Sequence, residues 1–170
     1  RSSRGLGDVY KRQVLMDKDP DSPMKPASMA KIMTVYVAFQ RIADGSLSLD
    51  DAFLISEKAW RKGGSKTFVE VGKQVAVRDL LMGVVVQSGN DAAIAIAEGI
   101  SGTEDGFAEE MNYVARQLGM NNTVFKNATG WPDPDQVTTA RDLNILATAL
   151  IRDFPSQDFP DLYPMFAEKT

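Results

Sequence analysis

The hydrophobic pattern is clearest between Ser28 and Gly45, where Ile32, Val35, Tyr36, Phe39, Ile42 and Ala43 recur at helical spacing. Residues three and four apart share one face of a helix, so this stretch predicts an amphipathic helix of about four turns. Gly45 closes it, being free to take the left-handed conformation that ends helices. Upstream, Val14 to Asp17 reads as a short strand, and Lys18 to Pro26 ("KDPDSPMKP") is a loop whose prolines and aspartates block regular structure. Downstream, residues 53–57 and 68–77 read as short strands around a glycine-rich loop, Lys62 to Lys66 ("KGGSK"). Asn90 to Ile100 is apolar on several faces and predicts a helix buried nearly all round. Glu104 to Leu118 has acids in its first turn, Phe107, Met111, Val114 and Leu118 as its stripe, and Gly119 as its stop. Thr139 to Arg152 opens with "TARD", in the manner of a capping box, and is expected to bury Leu143, Leu146, Ala147 and Leu150. Between the last two helices, Asn127 to Gln136 ("NATGWPDPDQ") reads as a surface loop.

Composition narrows the chemistry more than it narrows the fold. The 170 residues are 44% hydrophobic, 25% charged and 8% aromatic, as in a globular domain. A net charge of −4 offers no footprint for a phosphate backbone, so nucleic acid is not an expected partner. The absence of cysteine excludes disulfides, thiolate catalysis and cysteine-ligated zinc. The absence of histidine excludes a Ser-His-Asp triad and imidazole-ligated metals, so serine chemistry here must recruit lysine, aspartate or glutamate as its base. The longest apolar run, Leu80 to Val86 ("LLMGVVV"), is far short of the roughly 20 residues of a membrane span. Residues 1–13 carry Arg1, Arg4, Lys11 and Arg12 against Asp8, a net of +3, so with −4 overall the rest carries −7. That break in composition marks 1–13 as a basic leader, read as a solvated tail.

Two short motifs then stand out. Ser-x-x-Lys occurs at Ser22/Lys25 and at Ser28/Lys31, but the first copy lies in a proline-rich loop that cannot fix two side chains on one face. In the second copy, Ser28 is four residues before Ile32 and Lys31 four before Val35, so both belong to the apolar stripe. Ser28 in this position also suits a helix N-cap. Lys31 has no such structural use: desolvation and the positive helix N-terminus both disfavour its charged form and lower its pKa. A neutral amine one turn from a hydroxyl can take its proton during nucleophilic attack, and nearby backbone N–H groups can stabilise an oxyanion. Gln87 to Asp91 ("QSGND") holds the one Ser-x-Asn of the chain, which can turn Ser88 and Asn90 toward a single cavity or can be a capping turn. Asp91 reads as a complement to the helix dipole rather than as a catalyst.

Together these stretches resemble the penicillin-recognising serine enzymes, whose pattern is Ser-x-x-Lys, Ser-x-Asn and Lys-Thr-Gly. Within that group "PASMAKIMT", "GGSKTFVEVG", "VVVQSGNDA", "NATGWPDP" and "TARDLNILATALI" look like the serine-type D-Ala-D-Ala carboxypeptidases, the low-molecular-mass penicillin-binding proteins. The resemblance runs from about Val14 to Thr170 with its blocks in family order. It implies an α/β (α+β) fold of the β-lactamase/transpeptidase-like type, a helical cluster against an antiparallel sheet. It implies Ser28 as the nucleophile acylated by a peptidoglycan stem peptide or by a β-lactam, Lys31 as its base, and Ser88 as proton relay. Asn90 would hydrogen-bond the substrate backbone, and Gly63-Gly64-Ser65 would border the site. It implies neither cofactor nor metal, and an exported enzyme acting in the periplasm or at the outer face of the cytoplasmic membrane, with any signal or membrane contact supplied by segments outside this chain.

The resemblance has two gaps. The basic leader 1–13 stands where the family has a strand, leaving 14–170 as a partial catalytic domain. Lys-Thr-Gly has no counterpart either, since Lys66-Thr67 is followed by Phe68 and Lys169-Thr170 ends the chain. The expectation is an N-terminal fragment whose C-terminal strands are missing, nearly inactive alone and competent within a longer parent. Two alternatives stand against this reading. A class A β-lactamase has Asp where Gly89 stands and a deacylating glutamate that has no match here, and a non-catalytic cell-wall-binding domain would keep the fold without the chemistry.

Overall fold

The computed structural model describes residues 6–8, 13–16, 19–156 and 158–162. Of the expected leader, residues 1–5 and 9–12 lie outside these, as do Asp17 at the end of the first expected strand and the terminal Lys169-Thr170. The first elements are strands β1 (Leu6–Asp8) and β2 (Gln13–Met16), paired antiparallel. A single 3₁₀ turn, Ala27–Met29, leads into α1 (Ala30–Ala43). Then follow β3 (Ala52–Leu54), α2 (Glu57–Arg61), β4 (Gln74–Ala76), α3 (Val77–Gln87), α4 (Asn90–Ser101), α5 (Glu104–Leu118) and α6 (Ala140–Asp153). β3 and β4 form a second antiparallel pair. The class is therefore α+β, with helices clustered beside two small antiparallel sheets.

α1 is more than the amphipathic helix its stripe predicts. Met33 to Phe39 are buried without interruption, Thr34 included, because α3, α4, α5 and α6 surround this helix. Ile32 and Ile42, both on the predicted stripe, are only half-buried, and Ala43 is exposed. α4 is buried nearly all round as its sequence predicts, from Asn90 to Ala97, and it packs on α1, α2, α3, α5 and β3. Full burial of side chains such as Phe39, Ile94 and Ile96 is worth about 1.5–3 kcal/mol each, which makes the α1/α4 pair the frame on which the rest is hung.

Two expectations are corrected here, and one element is added. The 68–77 strand shrinks to Gln74–Ala76, because Phe68 (φ +63°) and Gly72 (φ +75°) are left-handed and break the extended run. Residue 57, expected to end a strand, instead begins α2, whose N-cap Ser56 accepts from the Ala59 N–H. The apolar run "LLMGVVV" is the body of helix α3, which the pattern left unassigned; a short continuous apolar run has no period to separate helix from strand.

α5 and α6 follow their stripes more closely. Thr103 and Thr139 cap them by accepting from the Gly106 and Asp142 N–H groups, and Gly119 ends α5 at φ +87°. On α6, however, only Leu146 among the expected core residues is fully buried, joined by Ala149, while Leu143, Ala147 and Leu150 are half-buried. Nor is 127–136 merely a surface loop: Ala128, Thr129 and Gln136 are buried, and the Thr34 hydroxyl donates to the Ala128 carbonyl at 2.8 Å. Thr34→Val would leave that carbonyl buried without its donor. The expected cost is about 1–3 kcal/mol, measured by urea denaturation; a change below a few tenths would show the bond to be dispensable.

Candidate active site

Ser28 lies in the 3₁₀ turn and is exposed, whereas Lys31, in the first turn of α1, retains 5% of its exposure. The turn is entered through Ala27, a non-glycine residue at φ +48°. Neither the turn nor α1 is capped by a side chain, so the Ser28 hydroxyl is not used as an N-cap. Among the described residues no hydrogen bond or ion pair engages the Lys31 amine. Burial pushes its pKa down, as the apolar stripe predicts.

Ser88 reaches the same place from another element. It ends α3 in the left-handed conformation (φ +54°, ψ +36°), and the N-cap of α4 is Gly89 with no side-chain cap, so the Ser88 hydroxyl is not a cap either. Ser28, Lys31 and Ser88 open into one cavity of about 350 Å³. Its remaining lining is apolar: Ile32 and Val35 from α1, Val84 and Val85 from α3, and Ala147, Leu150 and Ile151 from α6. This explains the half-burial of Ile32, Ala147 and Leu150, which face the cavity instead of the core.

Asn90 and Ser65 do not line that cavity. The Asn90 side chain donates from Nδ2 to the Gly63 carbonyl at 2.8 Å, and its backbone N–H donates to the Ser65 carbonyl at 2.7 Å. Ser65 is exposed, and its contribution to this junction is its carbonyl. Thus three of the five candidate residues converge on one cavity, and the other two join the glycine-rich loop to the start of α4. Among the described residues no group of three His, Cys, Asp or Glu side chains is placed to hold a metal ion.

Sequence reasoning missed what braces the Ser28 turn from behind. Lys25, the lysine of the discounted first Ser-x-x-Lys, donates from Nζ to the Asp133 and Pro134 carbonyls at 3.0 and 2.7 Å. Gly130 packs so tightly on the Ala27 carbonyl that no Cβ could be placed there. Within the loop, Asn127 Oδ1 accepts from the Gly130 N–H at 2.8 Å and Gln136 Oε1 from the Lys126 N–H at 2.9 Å. The density of Gly, Asn and Pro in "NATGWPDP" was the signal, but it marks any tight loop and does not say what the loop rests on.

Residues 6–162 match the family described as D-alanyl-D-alanine carboxypeptidase. Over 158 residues the chain is 39% identical to the D-alanyl-D-alanine carboxypeptidase DacC of Escherichia coli, an alignment covering 89% of this chain and 40% of that protein. Among solved structures, DacD from Francisella tularensis superposes with a TM-score of 0.90 at 42% identity, covering 97% of this chain and 39% of that one. Penicillin binding protein 5 from Haemophilus influenzae gives 0.89 at 39% identity, covering 97% and 47%. The chain thus spans about two-fifths of the length of the curated relatives it matches.

Proposed function

Since this chain belongs to the peptidase S11 family of D-alanyl-D-alanine carboxypeptidases, we propose that it carries the acylating half of such an enzyme, which removes the terminal D-Ala of peptidoglycan stem peptides. The observation that carries the proposal is the meeting of Ser28, Lys31 and Ser88 at one cavity, with the Lys31 amine buried and unpaired among the described residues. A buried amine held below its ordinary pKa is the base that a histidine-free serine enzyme needs.

Chemically, Lys31 Nζ takes the Ser28 Oγ proton as Oγ attacks the carbonyl carbon of the penultimate D-Ala. The C–N bond breaks, and Ser88 passes a proton from the Lys31 ammonium to the departing amine. The Ser28 ester is then hydrolysed by water. A β-lactam undergoes the same attack, but its ring nitrogen stays tethered after the C–N bond opens, so the adduct persists. The name of the Haemophilus relative, a penicillin binding protein, supports that second substrate class.

Catalysis on this substrate places the enzyme outside the cytoplasmic membrane. Among the described residues no helix is long and apolar enough to cross a membrane.

The test is incubation with a fluorescent penicillin, both for the 170-residue chain and for the longest reading frame that contains it. Peptide mass mapping should find a long-lived adduct on Ser28, and the longer protein should release D-Ala from a D-Ala-D-Ala peptide. Rapid penicillin turnover without an adduct would favour a β-lactamase, and no labelling of either form would end the enzymatic reading.

A further inference from the structure

The carboxylate of Asp91 is 1% exposed and faces neither substrate cavity nor solvent; it faces the backbone of another loop. Oδ1 accepts from the Thr67 N–H at 2.8 Å, and Oδ2 accepts from the Phe68 N–H at 2.9 Å and, more weakly, the Val69 N–H at 3.4 Å. Oδ1 also accepts from the Ala92 N–H at 2.9 Å, which fixes the side chain to the first turn of α4. Dipole complementarity alone does not explain this geometry. An exposed carboxylate at a helix start serves the dipole equally well, whereas this one is spent on three successive amides of a segment 22–24 residues away.

The segment it holds is strained. Phe68 sits at φ +63° with 83% of its surface exposed, a conformation a bulky residue adopts only under constraint. The Thr67 hydroxyl is buried without a hydrogen-bond partner among the described residues, lodged where Gly83 and Gly89 leave no room for side chains of their own. Both features favour release of the loop, and the buried charge-assisted bonds from Asp91 oppose it. One residue earlier, Asn90 binds the Gly63 and Ser65 carbonyls. Residues 63–69 are therefore clamped at two places by two consecutive residues of α4.

We propose that Asp91 is a positioning residue: it holds residues 67–69 in their strained path and so fixes the junction of residues 63–65 with Asn90, two residues beyond Ser88 and outside the cavity, against which a peptide extending from the cavity is aligned. This rests on the carboxypeptidase reading above. Asp91→Asn replaces one acceptor oxygen by an amino group that faces the N–H donors.

The test is made in the longest reading frame containing this chain, with hydrogen exchange and kinetics measured on the same preparations. In Asp91→Asn the amides of Thr67 and Phe68 should lose exchange protection by about tenfold or more, and KM for a D-Ala-D-Ala peptide should rise by about tenfold. The fraction of protein labelled by penicillin should hold, because Ser28 and Lys31 stand on other contacts. Adding Phe68→Gly, which relaxes the loop at positive φ, should restore much of the KM. Unchanged protection at residues 67–69 overturns the proposal, as does lost protection with unchanged KM. A proportional fall in kcat and labelled fraction with KM unchanged, the mark of a merely destabilised protein, overturns it too. If the wild type neither labels nor releases D-Ala, the carboxypeptidase reading fails on that result alone, and the exchange measurement still decides whether Asp91 holds the loop.

Discussion

Lys31→Met is expected to slow penicillin acylation of Ser28 by about 10⁴-fold while making the protein more stable, by ~1 kcal/mol at neutral pH. The two effects share one cause. Lys31 is 5% exposed, and its charged form has no partner among the described residues, so burial lowers its pKa below the ordinary 10.5. A folded-state pKa below the unfolded value means that protonation favours unfolding. The penalty is fully present below the folded pKa and disappears as pH rises toward 10.5. Methionine fills the same space without a charge to desolvate, so its stability advantage should be largest at low and neutral pH and should vanish in strong alkali. Wild-type acylation should rise with pH as the amine deprotonates and level off below pH 10.5. Stopped-flow labelling and thermal denaturation across pH check both halves; a variant that is less stable and still acylates would remove Lys31 from the role of base.

Gly130→Ala is expected to cost about 100-fold in acylation and ~2–4 kcal/mol in stability, although residue 130 does not line the cavity of Ser28, Lys31 and Ser88. A Cβ at this position would lie 1.7 Å from the Ala27 carbonyl oxygen and 2.4 Å from its carbon. The obstacle is backbone, so it cannot swing aside as a long side chain would. Gly130 also has φ +79°, which adds strain for any L side chain. Either the 127–131 segment or the Ala27–Ser28 peptide must move by more than an ångström, and Ala27 is already strained at φ +48°. Nucleophilic attack depends on placement at that scale. Gly45→Ala is the control, because Gly45 has nearly the same φ, +80°, but nothing within 4 Å of the added Cβ. It should cost only ~1 kcal/mol and leave labelling intact. Equal effects from the two substitutions would show that conformation, not contact with the nucleophile turn, governs position 130.

These expectations draw unequally on sequence and structure. The helix expected from Ser28 and found from Ala30, the cap at Thr139 and the stop at Gly119 were legible because each depends on neighbours within one or two turns. That Ser28 and Lys31 share one place was legible for the same reason, and the absence of histidine is what makes Lys31 the base of the proposed reaction. Helix α3 was not legible, since its apolar run lacks a period, and the strand expected over 68–77 was broken by a left-handed Phe68 that no local rule favours.

By itself, then, the sequence determined the periodic helices, the chemistry available to the site and the family, all of which depend on residue type and short spacing. Tertiary structure alone decided that Ser88 reaches the cavity of Ser28 and Lys31, and that Asn90 is tied to the glycine-rich loop. It also decided that Asp91 grips residues 67–69, and that the 127–136 loop braces the Ser28 turn through Gly130 and Lys25. Those contacts join positions from two dozen to more than a hundred residues apart. Their existence depends on how α1, α3, α4 and α6 pack, which no short window of the chain contains.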